Sequence, residues 1–485
     1  MNNRTNLSEE EIKQKEQRNN FESYNIENEY DLISEGLAKI KKQNNTFYNP
    51  AQKTNRDISI LVIEEYFKNK KKLDDNKKNI KILDAMSATG LRGLRYLKEI
   101  PNSQIFFNDI NDNAIETINN NLQFNGIPPN EINFFDKNFQ NIREEAKNTN
   151  IIKSDCNVLM CTLQNYFDVI DIDPFGSCSE FMENAFRAIK HNGLICFTST
   201  DKGVLITNES KCIVKYETII LKRFSQNEMA LRGLLSCVSR HAAKFGISIE
   251  PLISLSLDFY LRVFVRIRKR SEKRVVCDNG LFYLCPCGNS KSVDRKQHKN
   301  IFNLNFKFFN DNNSGLITDL KDLMTNIIVS DDNNCDVCCK KMKICGPFWN
   351  KQLHSEDFVK NLLNKINMDD KRLIGIFNFL DQEIQSMWYY EIGAICKNLK
   401  TNCIKIKSML TALKNLGFDV SLTHCDISAF KTNAPLKIIR QIVRIGNLES
   451  ESEIFSKNEF VENLMSREYF KGLIASGLGP LPLPE

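Results

Sequence analysis

From about residue 30 to about residue 270, short apolar runs that read as strands alternate with longer amphipathic stretches that read as helices. The runs are Ile80-Lys81-Ile82-Leu83, Gln104-Ile105-Phe106-Phe107, Phe167-Asp168-Val169-Ile170 and Leu194-Ile195-Cys196-Phe197. Strands separated by helices join as parallel neighbours, with the helices covering both faces of one sheet. The chain is therefore read as α/β, with a mostly parallel sheet. Near the end of this region, Leu252 to Ile267 is a long β-rich run broken by Asp258-Phe259-Tyr260. It predicts two further strands and a short connection, open to an antiparallel pairing. In an open sheet of this kind, ligands bind outside the carboxyl ends of the strands. The residues that follow each run are thus the first candidates for function.

Behind the third run stands Asp171-Ile172-Asp173-Pro174-Phe175-Gly176-Ser177. A carboxylate, a proline and an aromatic ring at a strand end suit methylation of an exocyclic amine on a base. The ring stacks on the base, Pro stiffens the turn, and the carboxylate binds the amine or takes its proton. Asp-Pro-x-Gly is also ordinary turn chemistry. Behind the first run lies the small-residue stretch Asp84-Ala85-Met86-Ser87-Ala88-Thr89-Gly90-Leu91-Arg92-Gly93. It lets a ligand approach the backbone closely, or serves packing alone. It is not G-x-G-x-x-G, so a dinucleotide site is poorly supported. Asp109 ends the second run, 25 residues after Asp84, where an acid commonly grips a ribose diol. Asp155, before Cys156, is placed to bind an adenine amine or to cap a helix. Taken in order, these residues describe an S-adenosylmethionine pocket beside a base-methylating site.

A chain of 485 residues suggests two to four domains. Its formal charge of +6 does not by itself mark a nucleic-acid binder, although Arg266-Ile267-Arg268-Lys269-Arg270 reads either as a phosphate contact or as a solvated strand end. The first 20 residues are polar and lack the apolar core of a signal peptide, and no apolar run is long enough to span a membrane. Sixteen cysteines then argue for an intracellular chain with metal ligands and buried thiols rather than disulfides. Nucleus and cytoplasm both remain open. The expected organisation is a disordered tail over 1–29, a catalytic domain over 30–270, a cysteine-bearing segment with an insertion over 271–345, and a helix-rich part over 346–485. In the last part, helix-period patterns cover Phe358 to Ile366, Asp381 to Leu399 and Ile404 to Leu416, with Gly417 at a helix end.

The chain resembles the tRNA guanine-26 N2-dimethyltransferase family. The resemblance rests on Phe47-Tyr48-Asn49-Pro50 with Asn55-Arg56-Asp57, on the Asp84 to Gly93 loop, and on Asp171 to Ser177. Glu228-Met229-Ala230-Leu231-Arg232, Asp258-Phe259-Tyr260, Val263-Phe264-Val265-Arg266, Thr423-His424 and Lys431-Thr432-Asn433-Ala434-Pro435 extend it. Cys178 departs from the family pattern, which leads to expect Pro there. The resemblance implies a class I S-adenosylmethionine-dependent methyltransferase fold (Rossmann-like) with a smaller α+β C-terminal tRNA-binding domain. It implies methylation of one tRNA guanine on N2, with dimethylguanine as the expected product. It further implies cofactor contacts from Arg56, Arg92, Asp109, Asp155 and Cys156, and a catalytic pocket of Asp173, Phe175 and Phe47. The partner is tRNA, no membrane is involved, and a monomer is favoured. Methylation of adenine or cytosine amines, and a non-catalytic tRNA-binding or folding module, are the rival readings.

Two cysteine clusters, Cys285-Pro286-Cys287 and Cys335-Asp336-Val337-Cys338-Cys339, offer Cys285, Cys287, Cys335 and Cys338 for one closed, structural Zn2+ site. Cys277 and Cys339 are possible substitutes, and unligated thiols are the alternative. Finally, Thr423-His424 and Lys431-Thr432-Asn433 read as a polar cluster through which the C-terminal part clamps RNA, or merely packs on the catalytic part.

Overall fold

A computed structural model describes residues 31–42, 48–68, 79–136, 141–269, 278–293, 334–367, 369–448, 453–458 and 461–462. The expected tail over 1–29, Phe47 and Cys277 lie outside them. The chain enters through a hairpin of β1 (Asp31–Glu35) and β2 (Ala38–Lys42). The helix Lys53–Lys68 then leads to the main sheet. That sheet contains β3 (Ile80–Asp84), β4 (Ser103–Asp109), β5 (Ile132–Asp136), β6 (Thr149–Lys153), β7 (Phe167–Ile172), β8 (Ile189–Ser199), β9 (Ile247–Leu257) and β10 (Tyr260–Lys269). Their order is β5-β6-β4-β3-β7-β8-β10-β9. The strands from β5 to β8 run parallel, and β10 runs antiparallel to both β8 and β9. The alternation in the sequence predicts this architecture.

The pleat sorts apolar residues to two faces. Leu83, Phe106 and Ile170 enter one core, whereas Ile82, Ile105, Phe107 and Val169 enter the other. Each fully buried side chain of this size contributes about 1.5–3 kcal/mol, and helices seal both sides. The chain first builds outward from β3 and then crosses back to start β7 on its other flank. The resulting switch point opens a crevice above the carboxyl ends of β3 and β7.

Beyond β10, β11 (Asn279–Leu284), β12 (Ser290–Ser292) and β13 (Lys343–Trp349) form a three-stranded sheet. A second one contains β14 (Tyr390–Glu391), β15 (Val420–Thr423) and β16 (Asp426–Thr432). The expected boundary at 346 falls inside β13, where Cys345, Phe348 and Trp349 belong to the core of the catalytic part. The expected helix from Asp381 to Leu399 is not continuous. One helix covers Lys371–Gln382 and another Ile392–Leu399. Between them Trp388 adopts a φ of +66° and stacks edge-on against Phe224, Phe282 and Phe348. Its backbone N–H donates to Glu228 Oε1, so packing overrides the helical pattern. Among the described residues, no helix is long and apolar enough to cross a membrane.

The Thr423–Lys431 cluster also needs correction. Lys431 is only 2% exposed and lies between Glu383 at 2.8 Å and Glu228 at 3.2 Å. His424 Nδ1 meets Glu383 at 2.6 Å, and the Thr423 hydroxyl donates to the same carboxylate at 3.0 Å. Glu228 belongs to the helix Gln226–Ala243 of the catalytic part and also pairs with Arg232 at 2.7 Å. These groups join the two parts of the molecule internally and present no surface to RNA. Asn433 alone is exposed, bonded to Asp419.

Candidate active site

A cavity of about 370 Å3 opens above the switch point. Its floor is the turn after β3. There Ser87 N–H donates to Asn108 O, Gly90 N–H to Ser87 O, and Ala88 takes a φ of +48°. The loop fits only with small residues. A Cβ on Gly93 would come within 2.4 Å of the Phe107 ring, and Gly90 holds a φ of +76°. Asp109, at the end of β4, accepts the Ala88 N–H at 2.9 Å and the Asn111 N–H at 3.0 Å while lining the cavity. A carboxylate has about four acceptor positions, so capacity remains for ribose hydroxyls.

Asp173, Pro174 and Phe175 line the same cavity from the end of β7. Phe175 is 77% exposed, an unusual state for a phenyl ring and a ready stacking surface. The loop behind it is tied down twice: Gly176 N–H donates to Thr200 Oγ1 at 2.7 Å, and Thr200 N–H donates to Gly176 O at 2.9 Å. Arg92 is buried and directs one nitrogen to Asp173 in a very short contact. Its other terminal nitrogen reaches Asn55, Ser59 and Asp171. Arg56 lines the cavity beneath Tyr48 and forms a two-point pair with Glu35 of β1 at 2.8 and 2.5 Å. Asp155 and Cys156 are not among the lining residues. Asp155 caps the helix Cys156–Thr162, accepting from Asn157 and Val158 N–H, while Cys156 is buried in the core.

Beneath the cavity lies an ionic layer that the motif reading missed. Arg262 is fully buried and grips Asp171 with two nitrogens, at 2.8 and 2.7 Å; Tyr96 also donates to Asp171. Burial opposes ionisation of Asp171, but Arg262 and Arg92 outweigh it and hold the carboxyl down to about 2. Burial pushes the neighbouring Asp84 up to about 7 against the pull of Arg92. Of the two acids in Asp171-Ile172-Asp173, the first is thus fastened into the scaffold and the second faces the cavity. A charged residue inside the apolar run Leu261-Arg262-Val263-Phe264 was the available signal, since a buried guanidinium needs a partner.

Residues 24–444 match the family model described as N2,N2-dimethylguanosine tRNA methyltransferase. The chain belongs to this family. A tRNA (guanine(26)-N(2))-dimethyltransferase from Caenorhabditis elegans is 28% identical, covering 86% of this chain and 80% of that protein. One from Methanobrevibacter smithii is 29% identical, covering 85% and 96%. The structure of Trm1 from Pyrococcus horikoshii with S-adenosyl-L-methionine matches with a TM-score of 0.66 at 25% identity, covering 85% of this chain and 99% of that one. The family assignment agrees with the sheet order and with a cleft holding Asp109 and Asp173 together.

The four expected cysteines converge away from this cleft. The sulfurs of Cys285, Cys287, Cys335 and Cys338 all lie within 4.8 Å of one another, although the two clusters are far apart in sequence. Val337 N–H and the Asn289 amide donate to the Cys335 sulfur, as they would to a thiolate. Zinc–sulfur bonds of about 2.3 Å imply sulfur–sulfur edges of about 3.8 Å, and two of the pairs here stand at 3.4 and 3.5 Å. The donor set therefore fits a closed tetrahedral metal centre. Arg266 to Lys269 sit at the opposite end of β10 from the cleft, about 20–30 Å along the strand. There Arg266 and Arg268 pair with Glu250, as befits a solvated strand end.

Proposed function

We propose that this chain uses S-adenosylmethionine to methylate N2 of a tRNA guanine at the position equivalent to 26, through to the dimethyl product. The observation that carries the reading is the pairing, across one cavity, of a ribose-type acid (Asp109) with a base-side acid and exposed ring (Asp173 and Phe175). S-adenosylmethionine supplies a methyl group already activated by its sulfonium. The lone pair of guanine N2 is delocalised into the ring, so alignment matters more than nucleophile strength. Asp173 accepts a hydrogen bond from N2–H, orients the amine and takes up the proton lost on methylation. Arg92 fixes the rotamer of Asp173. Phe175 stacks on the displaced base, and Phe47 is proposed to line the pocket. Asp109 holds the ribose and Arg56 borders the cofactor end, while Asp155 acts on the adenine only indirectly, by capping the helix Cys156–Thr162 beside the cleft.

The C-terminal part is proposed to dock tRNA through surface charges such as Lys397, Lys400, Lys405 and Arg444, all exposed, rather than through the buried Lys431. The cysteine tetrad is proposed to hold one structural Zn2+. Metal analysis of protein purified without chelator should find about one zinc per chain, lost in Cys287→Ser. A count near zero would reject the site.

Nucleosides digested from tRNA after incubation with methyl-labelled cofactor should carry the label in N2-methylguanosine and N2,N2-dimethylguanosine. Label in adenosine or cytidine would favour the rival base, and the absence of label would favour a non-catalytic RNA-binding role.

A further inference from the structure

The hairpin between β9 and β10 ends in two residues, Asp258 and Phe259, with Leu257 paired to Tyr260. Its tip lines the cavity, and Phe259 is 39% exposed there. Asp258 has a φ of +41°, a conformation that a two-residue hairpin ordinarily assigns to glycine. The position keeps a side chain, and that side chain is used. Arg372 Nη2, from the helix Lys371–Gln382, donates to Asp258 Oδ2 at 2.6 Å. Lys202 Nζ donates to the Asp258 carbonyl at 3.2 Å. The buried Tyr260 ring packs edge-on to Phe259 at 5.6 Å. A strained tip held from three sides, with its aromatic residue at a cavity mouth, has the character of a functional element.

The sheet order sets what this ring can meet. Strand β8 lies between β7 and β10, so Phe175 behind β7 and Phe259 before β10 flank Thr200 at the end of β8. Strand ends two apart are separated by about 10 Å, which leaves room for one planar base between rings that lean inward. We propose that Phe259 is a second aromatic wall of the guanine site, and that Arg372 is the positioning residue that holds it there through Asp258. The proposal rests on the methyltransferase reading above. It makes the helix Lys371–Gln382 of the C-terminal part a support of the base pocket.

The test uses full-length chain, tRNA and labelled S-adenosylmethionine, with N2-methylguanosine as the readout. Phe259→Ala should lower kcat/KM for tRNA by about 10- to 100-fold, the range for one lost base–aromatic stack. Cofactor affinity and melting temperature should stay at wild-type values, and Phe259→Tyr should recover most of the activity. Arg372→Ala should lower kcat/KM by several-fold, mainly through KM, with Arg372→Lys in between. In a Phe259→Ala background, Arg372→Ala should add nothing, because it acts through the missing ring. Unchanged kcat/KM in Phe259→Ala, or parallel loss of cofactor binding, overturns the aromatic wall. Effects that multiply in the double variant overturn the positioning role of Arg372. Wild-type chain that labels no guanine would instead refute the methyltransferase reading, a separate outcome from either.

Discussion

Two regions of this molecule are rich in charge, and they treat it in opposite ways. At the cleft, Asp109 and Asp173 line an open cavity beside an exposed ring. At the junction between the two parts, Glu228, Arg232, Glu383, His424 and Lys431 are buried and ion-paired with one another. The same residue types thus line an open cavity, where they are proposed to serve chemistry, and hold the assembly together in the other place. What separates them is access. A charge left facing a cavity keeps capacity for a ligand, whereas a sealed cluster has already been matched within the protein.

The sharpest way to break the contrast is to remove a charge from the junction. Lys431→Met leaves two buried carboxylates short of a partner and should cost about 3–5 kcal/mol of stability, read as a lower denaturation midpoint. Loss of tRNA affinity without loss of stability would return Lys431 to an RNA-binding role. At the cleft, Asp109→Ala should weaken cofactor binding by about 1–3 kcal/mol, measured by calorimetry, with tRNA binding in the absence of cofactor unchanged. Unaltered cofactor affinity would make Asp109 a loop-bracing residue for Ala88 and nothing more.

A third expected effect is a pH dependence at the junction. Burial opposes the charged form of His424, yet Cys425 and the Glu383 carboxylate raise its pKa from 6.5 to about 10. A raised folded-state pKa means that the native chain binds the extra proton between those values. The stabilisation should be complete below about pH 6.5 and decline as pH rises towards 10. In His424→Gln that slope should flatten. An equally steep slope in the variant would assign it to other groups.

Much of the cleft was legible because chain order alone places strand ends together in a parallel sheet. Asp109, Asp173 and Phe175 each follow an apolar run, so locating the runs located the residues. The cysteine tetrad was legible for a different reason: two clusters of closely spaced thiols suit one closed tetrahedral site. The junction was not legible. Glu383 and Lys431 are 48 residues apart, and nothing local separates a buried His-Lys pair from a surface one. The break near Trp388 was hidden for the same reason, since its ring answers to Phe348 and Phe224 rather than to its helical neighbours. Asp155 shows the converse case, a motif position whose carboxylate caps a helix.

The most direct test sets Asp173→Ala beside Lys431→Met and measures N2-methylguanosine formed per folded molecule, together with melting temperature and cofactor affinity. Asp173→Ala should melt close to wild type, because Arg92 keeps its pairing with Asp171, and should bind S-adenosylmethionine as wild type does, while turnover falls by roughly 100-fold or more, the scale of a lost acid–base group. Lys431→Met should melt earlier yet keep near wild-type turnover per folded chain. Undiminished turnover in Asp173→Ala, or a stable Lys431→Met that has lost its turnover, would contradict the division between an open region that reacts and a sealed one that only holds.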